Sequence, residues 1–335
     1  MAGTAVLGAG SFGTALATLF ARVSGERVWL WSHNPEQAQA INETRHNPRY
    51  LSEYELHSAI RATGDLSEAL EGVDKVVVAI PSQAVRSLLT DIAERIPEVP
   101  LVLAAKGIEN DTLMTLDEVV QDVLGPDWSE RTLALSGPSF AKEILQGYPT
   151  AVVLACANQA LADQMSESIC VGAFRAYSSS DIVGVELGGA LKNVMAIAAG
   201  GITGMGFGHN TRTAMVTRGL AEITRLAVAK GAHPMTLAGL AGMGDLVLTC
   251  TGGLSRNRRL GEMLGGGKDI DEATEEIGQV VEGVRTTLSA YQLAEKLGVD
   301  APITQSVYRV LYEGASLKTS VQELLARPSK REREY

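Results

Sequence analysis

The chain has 335 residues, of which 45% are hydrophobic and 20% charged, and its formal net charge is −10 at pH 7. This composition is typical of a globular protein with enough residues for two domains. The negative charge argues against nucleic acid or an anionic membrane surface as the main partner. The three cysteines, Cys156, Cys170 and Cys250, lack metal-ligand spacing and are odd in number, so we expect reduced thiols in a cytoplasmic protein.

The N-terminal segment has glycines at the spacing of a dinucleotide-binding turn. Gly8, Gly10 and Gly13 follow an apolar run over 4–7 and precede a helical pattern over 14–20. In a strand–turn–helix unit the first glycine permits the tight turn, the second lets the backbone approach the phosphates, and the third allows close packing. We predict that the turn binds a dinucleotide at the helix N-terminus; the alternative is a purely structural turn. We expect no signal peptide, since cleavage would destroy this turn.

In the first half of the chain, short β-rich runs alternate with helical patterns. The predicted strands are 4–7, 27–31, 58–62, 75–80, 100–105, 131–136, 150–155 and 174–178. Continuous apolar runs such as 75–80 are typical of strands that are covered on both faces. Asn34 before Pro35 predicts a helix start, with Gln37 at the third position of a capping box. We therefore predict an α/β domain over residues 1–182, with a doubly wound, mostly parallel Rossmann-type sheet.

The second half of the chain is predicted to be all-α. The predicted helices are 184–199, 212–231, 235–241, 256–264, 271–277, 283–297 and 304–313, which places a helical substrate and catalytic domain over 183–326. Residues 187–207 contain one charge, Lys192, but their six glycines favour a buried helix and a glycine-rich loop over a membrane span. The charged tail 327–335 is predicted to be disordered.

Two lysines are candidates for chemistry. The residues three and four positions from Lys192 on a helix are not acidic. Its aliphatic side chain either extends along the apolar surface so that the ammonium reaches solvent, or the ammonium is held in a cleft for chemistry. Desolvation would lower its pKa, which suits proton exchange near neutral pH. Lys106 directly follows the predicted strand 100–105, at the end of a strand where open α/β sheets bind ligands. The alternative for Lys106 is a solvated loop lysine.

Two later segments also contain candidate functional residues. Asp245 follows a glycine-rich approach and is either a functional carboxylate or a simple helix N-cap. Ser255 is predicted to cap the next helix, and with Arg256 it would form an anion site suited to a phosphate. The alternative is a solvated basic face paired with the acids of 269–276, which we favour for residues 258–259.

The second strand bears on cofactor choice. His33 lies 20 positions after Gly13, where NAD-selective domains usually carry an acid for the ribose, yet 31–34 contains no carboxylate. We therefore expect both NAD(H) and NADP(H) to bind. The histidines lack metal-ligand spacing and no Ser-His-Asp set can be assembled, so we predict no metal and no hydrolase.

Six motifs occur in the order and spacing of a known family. They are GAGSFGTA at 8–15, AKGIE at 105–109, SGPSFA at 136–141, GALKN at 189–193, GMGDL at 242–246 and SRN at 255–257. Through them the chain resembles the bacterial NAD(P)-dependent glycerol-3-phosphate dehydrogenases over roughly residues 3–325. Phe12 departs from the tryptophan of many members, and His33 replaces the arginine of some relatives.

The resemblance implies reversible reduction of dihydroxyacetone phosphate to sn-glycerol 3-phosphate for phospholipid synthesis. It also implies a 6-phosphogluconate-dehydrogenase-like helical domain and a cytoplasmic homodimer that does not insert into membranes. Lys192 would be the proton donor and acceptor, supported by Asp245, Thr249 and Asn193. The implied substrate residues are Lys106, Gly137, Ser139, Lys192, Asp245, Ser255, Arg256 and Asn257. The implied cofactor residues are Gly8, Gly10, Ser11, Phe12, Gly13, His33, Lys106, Ala141, Arg256, Val280 and Glu282.

Two alternatives stay open at this point. A related two-domain dehydrogenase, acting on a β-hydroxyacid or a sugar-acid phosphate, would share the glycine turn and the helical lysine but would not predict the motif at 255–257. A non-enzymatic redox sensor would bind NAD(H) and leave Lys192 without a role. A substrate panel with NADPH separates the related dehydrogenase from the favoured hypothesis, and turnover of dihydroxyacetone phosphate rejects the redox sensor.

Overall fold

The chain divides into two compact units in the computed structural model, which describes residues 3–24 and 27–328. One unit comprises the residues up to Ala105 together with Leu116–Ile182, and the other comprises Lys106–Thr115 together with the residues from Val183 onward. The sequence-based division placed 106–115 in the first unit. The structure places them in the second because Ile108 is fully buried in the helical core and its carbonyl accepts a hydrogen bond from Ser289 Oγ at 3.1 Å. Residues 329–335 of the predicted tail lie outside the described residues.

The first unit is built on a single eight-stranded sheet. Its strands are β1 (Gly3–Leu7), β2 (Arg27–Trp31), β3 (Ile60–Thr63), β4 (Lys75–Val78), β5 (Leu101–Leu103), β6 (Thr132–Ser136), β7 (Thr150–Ala155) and β8 (Phe174–Ser179). They lie in the order β3-β2-β1-β4-β5-β6-β7-β8. Neighbouring strands are parallel except β6 and β7, which pair antiparallel. The predicted doubly wound, mostly parallel sheet is therefore confirmed.

Helices of the first unit follow the strands in the α/β manner. They are α1 (Ser11–Ser24), α2 (Pro35–Thr44), α3 (Leu66–Leu70), α4 (Val85–Ile92), α5 (Leu116–Leu124), α6 (Ala141–Leu145) and α7 (Gln159–Ser168). The central strands β1, β4 and β5 are apolar because helices cover both faces of the sheet, and residues such as Val6, Val77 and Val102 are buried. This packing holds the carboxyl ends of β1, β2, β4, β5 and β6 at one edge of the sheet.

The second unit is all-α among its described residues. Its helices are α8 (Ile182–Gly204), α9 (His209–Ala229), α10 (Pro234–Leu237), α11 (Asp245–Thr251), α12 (Arg256–Gly265), α13 (Ile270–Ile277), α14 (Glu282–Leu297), α15 (Pro302–Tyr312) and α16 (Leu317–Leu325). A π-helical turn, Leu240–Gly244, leads into α11. The predicted set of helices lacks α16 and α11, although the alternative that made Asp245 an N-cap placed a helix where α11 lies. Both are short, and α11 follows glycines that obscure the helical pattern.

Helix α8 forms the centre of the second unit. It is long and apolar enough to cross a membrane, but 83% of its most apolar window is buried inside the unit, as predicted for a core helix. The predicted glycine-rich loop after residue 199 was wrong, because α8 continues to Gly204. A side chain at Gly200 would overlap the Arg258 carbonyl, and one at Gly261 would overlap the Ile197 carbonyl. The glycines therefore let α8 and α12 cross at close range instead of ending the helix.

Candidate active site

The turn after β1 has the geometry that a dinucleotide requires. Gly8 has φ +126°, and a Cβ there would lie 2.5 Å from the Ala79 carbonyl oxygen. A side chain at Gly13 would overlap the Gly8 carbonyl, so the third glycine allows α1 to start directly against the strand. Both positions need glycine because of the protein's own backbone.

Gly10 differs from its two neighbours in the motif. A Cβ at Gly10 would meet nothing within 4 Å, so no described part of the protein requires glycine there. The open space lies where α1 begins, and helix N-terminal N–H groups attract phosphate. We call this open space, which a side chain at Gly10 would occupy, the cradle. Its position at the second glycine of the motif fits the close approach of a pyrophosphate to the protein backbone. Ser11 and Phe12, both half-buried, form the first turn of α1 beside it.

Other predicted cofactor and substrate residues of the first unit follow β2 and β6, at the same edge of the sheet. His33 is exposed two residues after β2. Gly137 follows β6 with φ +131°, and a Cβ there would lie 2.9 Å from Val152 Cα. Ser139 Oγ donates to the Gly137 carbonyl at 2.9 Å, and Ala141 opens α6, which packs against α1.

A buried cluster of charged groups lies inside the second unit. Lys192, 7% exposed on α8, donates from Nζ to Asp245 Oδ1 and, at 2.9 Å, to Thr249 Oγ1. Lys106 Nζ donates to the other carboxylate oxygen, Asp245 Oδ2, at 2.6 Å. Thr249 Oγ1 donates to the Asp245 carbonyl at 2.6 Å, one helical turn back on α11. Two ammonium groups thus share one carboxylate, and the cluster carries a surplus positive charge.

The surroundings shift the ionisation of this cluster. Burial, with a further contribution from the positive charge of Lys106, lowers the pKa of Lys192 to about 8 against the opposing attraction of Asp245. Burial alone would raise the pKa of Asp245, but the charges of Lys106 and Lys192 hold it below its usual range. Lys192 can therefore exchange a proton near neutral pH while Asp245 stays ionised.

Glycines bring Asp245 to Lys192. A Cβ at Gly188, one helical turn before Lys192, would lie 2.7 Å from the Ala241 carbonyl oxygen, so the π-helical turn approaches α8 where α8 lacks a side chain. A side chain at Gly242 would overlap the Leu237 backbone. π-helical turns often occur at functional sites, and this one delivers Asp245 at the first position of α11.

Asn193, the residue after Lys192, belongs to a second polar cluster. Asn257 Nδ2 donates to Asn193 Oδ1 at 2.9 Å, and Asn257 Oδ1 accepts from Gly283 N at 2.9 Å. A Cβ at Gly283 would lie 2.6 Å from Asn257 Oδ1. These bonds tie the starts of α12 and α14 to the helix that carries Lys192.

The start of α12 is an anion-attracting end. Ser255 caps the helix as predicted, since its side chain accepts from Arg258 N at 3.2 Å. Arg256 is exposed, and its NH1 donates to the Val280 carbonyl at 2.8 Å. Glu282 begins α14 two residues after Val280. Ser255, Arg256 and the segment that carries Val280 and Glu282 therefore lie together.

The structure decides between the alternatives left open for the charged residues. Asp245 is not an N-cap: Gly244 occupies that position, without a side-chain cap, and the Asp245 carboxylate binds both lysines. Lys106 is not a solvated loop lysine, because it makes an ion pair with a fully buried carboxylate. The preferred pairing for Arg258 was wrong: it binds Glu262 at 2.6 Å, one turn along its own helix, while the nearby acids Glu272 and Glu276 bind Lys268.

Sequence reasoning missed the glycines that position the two polar clusters, Gly188 for the lysine–aspartate cluster and Gly283 for the cluster of Asn193 and Asn257. Gly188 and Gly283 have no chemistry of their own, and glycine inside a predicted helix was the available signal of close packing. Gln37 was expected to complete a capping box at Asn34. Asn34 does cap α2, but the Gln37 side chain binds the Ala9 carbonyl instead. Among the described residues, no group of three or more His, Cys, Asp or Glu side chains could hold a metal ion.

A sheet unit with an open, dinucleotide-type glycine turn and a helical unit with a buried lysine of lowered pKa are typical of one class: this is an NAD(P)-dependent oxidoreductase. Comparison with known proteins agrees. Residues 3–162 match the N-terminal model of the NAD-dependent glycerol-3-phosphate dehydrogenases, and 181–322 match the C-terminal one. The chain belongs to the NAD-dependent glycerol-3-phosphate dehydrogenase family.

Individual relatives cover nearly the whole chain. It is 52% identical over 329 residues to a glycerol-3-phosphate dehydrogenase [NAD(P)+] of Geobacter metallireducens, with 98% of each chain covered. The corresponding protein of Citrifermentans bemidjiense is 50% identical over the same share of both chains. The crystal structure of glycerol-3-phosphate dehydrogenase from Coxiella burnetii superposes with a TM-score of 0.92 at 40% identity, covering 97% of this chain and 99% of that one. The predicted family is therefore confirmed.

Proposed function

We propose that this enzyme reversibly reduces dihydroxyacetone phosphate to sn-glycerol 3-phosphate with NADH or NADPH, and that Lys192 transfers the proton. The observation that carries the proposal is the buried Lys192–Asp245–Lys106 cluster, with its surplus positive charge and a lysine pKa of about 8. The names of relatives that share about half of its residues over 98% of the chain support the substrate.

In the proposed reduction, a nicotinamide cofactor held at the turn of Gly8, Gly10 and Gly13 would supply the hydride for the ketone carbon. The carbonyl π electrons move to oxygen, and the resulting alkoxide takes a proton from the Lys192 ammonium, which breaks one N–H bond and forms the O–H bond of the product. The amine left behind is reprotonated from solvent before the next turnover. Oxidation runs the same steps in reverse, with neutral Lys192 as the base.

Asp245 and its partners fix the acid in place. The carboxylate and Thr249 Oγ1 occupy Lys192 Nζ from one side, which limits its orientation. Lys106 lowers the pKa of Lys192 and adds positive charge that stabilises the alkoxide. Asn193, held by Asn257, is proposed to bind a substrate hydroxyl beside the lysine.

The phosphate of the substrate is proposed to bind at the start of α12. Ser255, Arg256 and Asn257 combine a helix N-terminus, a guanidinium and a side-chain amide, which are groups that bind phosphate. Gly137 and Ser139 are proposed to contribute from the first unit. Unphosphorylated dihydroxyacetone would lack this binding energy.

For the cofactor, the open cradle at Gly10 is the supporting observation. Gly8, Gly13 and the first turn of α1 would hold the pyrophosphate, and Ala141 at the start of α6 would line the same sheet edge. The absence of a carboxylate at 31–34 supports use of NADPH as well as NADH. Arg256, Val280 and Glu282, which lie together in the second unit, are proposed to complete cofactor binding with Lys106.

The test is oxidation of NADH and of NADPH by the purified protein, followed at 340 nm with dihydroxyacetone phosphate. Dihydroxyacetone and a β-keto acid serve as control substrates in this direction. A sugar-acid phosphate with NAD+ or NADP+ is the control in the direction of oxidation. We expect turnover with the ketone phosphate and either cofactor, and at least tenfold lower kcat/KM with dihydroxyacetone, from the loss of charge-assisted bonds. Preference for a control substrate would overturn the proposed substrate.

We also propose that the product supplies glycerophospholipid synthesis and that the enzyme acts as a cytoplasmic homodimer that does not insert into membranes or bind nucleic acid. The free cysteines, among them the exposed Cys170, suit a reducing compartment. Light scattering after size-exclusion chromatography tests the dimer.

A further inference from the structure

A pair of buried amides holds the backbone of the glycine turn. Gln37 on α2 and Asn47, in the segment after α2, each donate a side-chain N–H to the Ala9 carbonyl at 2.9 Å. Gln37 is 4% exposed and Asn47 is fully buried. The Ala9 carbonyl belongs to the peptide group that joins Ala9 to Gly10. Both donors therefore act on the backbone between the first two glycines of the motif.

The same amides connect three parts of the first unit. Asn47 Nδ2 also donates to Thr14 Oγ1 on α1 at 2.8 Å, and Gln37 Nε2 donates to Asn47 Oδ1 at 2.9 Å. Ser32 Oγ, just after β2, donates to Gln37 Oε1 at 2.9 Å. All four amide heteroatoms are bonded, which makes the network rigid and specific.

The network determines where the Gly10 N–H points. In a trans peptide the C=O and the following N–H point in opposite directions, and no described peptide bond is cis. Fixing the Ala9 carbonyl toward Gln37 and Asn47 therefore directs the Gly10 N–H away from them. No hydrogen bond of the Gly10 N–H to another described residue is seen, and the space beside Gly10 is open.

We infer that Gln37 and Asn47 are positioning residues for the dinucleotide, which hold the Gly10 N–H ready for a pyrophosphate oxygen. Ser32 extends the network to the turn after β2, which carries His33. The same hydrogen bonds therefore fix the glycine turn after β1 and the turn proposed to contact the ribose. This inference rests on the cofactor site proposed above. A preorganised donor binds phosphate without an ordering cost, so loss of the network weakens cofactor binding more than it changes the chemical step.

The test measures the Kd of NADPH by fluorescence titration without ketone substrate, at a temperature where each variant is folded. Asn47→Ala is expected to raise the Kd about tenfold, which corresponds to the loss of a preorganised hydrogen bond. Gln37→Met keeps the length of the side chain, removes both amide groups, and is expected to act in the same direction. The KM for NADPH should rise in parallel, while kcat at saturating cofactor stays within about threefold.

Asn42 provides a matched control on the same helix. Its side chain makes two hydrogen bonds to Ala62 of β3, at 2.7 and 2.9 Å, and none to the glycine turn. Asn42→Ala should lower the thermal stability without changing the Kd. Equal effects of Asn42→Ala and Asn47→Ala on the Kd would overturn the inference, because a general loss of packing would then account for both.

A Gly10→Ala variant separates this inference from the cofactor site on which it rests. Loss of NADPH binding in Gly10→Ala with an unchanged Kd in Asn47→Ala and Gln37→Met would reject the role of the amides alone. An unchanged Kd in Gly10→Ala would reject the proposed cofactor site itself. A raised Kd in all three variants, with Asn42→Ala unaffected, supports both.

Discussion

The pH dependence of turnover should reveal the ionisation of Lys192. A lysine ordinarily has a pKa of 10.5, and burial together with Lys106 lowers that of Lys192 to about 8. This difference means that the charged form of Lys192 is destabilised relative to the neutral form by about 3 kcal/mol, at about 1.4 kcal/mol for each pKa unit. Ketone reduction requires the ammonium, so kcat/KM should be level below about pH 8 and fall about tenfold for each pH unit above it. Oxidation requires the neutral amine, so its kcat/KM should rise up to about pH 8 and then level.

The assay is steady-state kcat/KM for dihydroxyacetone phosphate and for sn-glycerol 3-phosphate between pH 7 and 10, above the second phosphate ionisation near pH 6. The matched variant is Lys106→Met, which removes a positive charge that lowers the pKa of Lys192 and should shift both inflections to higher pH. A reduction rate that stays level until about pH 10, as an unperturbed lysine would give, would refute the reasoning. So would inflections that do not move in Lys106→Met.

Three further changes test other parts of the site. Asp245→Asn leaves the buried ammonium of Lys192 and the partly buried one of Lys106 without a carboxylate, and should cost about 3 to 5 kcal/mol of unfolding free energy in a denaturant titration; an unchanged midpoint would contradict the ion pairs. Arg256→Ala should raise the KM for dihydroxyacetone phosphate about tenfold, whereas Arg259→Ala, on the same helix, should not, and equal KM values would remove Arg256 from the phosphate site. His33→Asp should weaken NADPH by repulsion of the 2′-phosphate and spare NADH; equal losses would mean that the ribose binds elsewhere.

Much of the first unit could be predicted from the sequence because its signals are local. Apolar runs such as 75–80 mark strands covered on both faces, and the glycine spacing at 8–13 marks the turn between a strand and a helix. The antiparallel pairing of β6 and β7 was not predictable, since strand direction depends on the path of the intervening chain. Its outcome is visible in the register of Ser136 with Val153.

In the second unit, the limits of prediction came from contacts between distant segments. Nothing in the local sequence shows that Lys106 and Lys192 bind opposite oxygens of Asp245, because these residues are separated by up to 139 positions. The glycines at the end of α8 predicted a loop because the sequence does not show that α12 packs against them. Gln37 was assigned a local capping role because the Ala9 carbonyl, 28 positions away, could not be placed.

The most direct test of the central claim is the turnover of Lys192→Met with dihydroxyacetone phosphate and NADPH. Removing Lys192 takes away the surplus charge and leaves Asp245 paired with Lys106, so the thermal midpoint should hold or rise. NADPH binding should persist, and kcat should fall by about 10² to 10⁴, the usual contribution of a positioned acid. A folded variant that binds NADPH and turns over within tenfold of the unaltered enzyme would contradict the account.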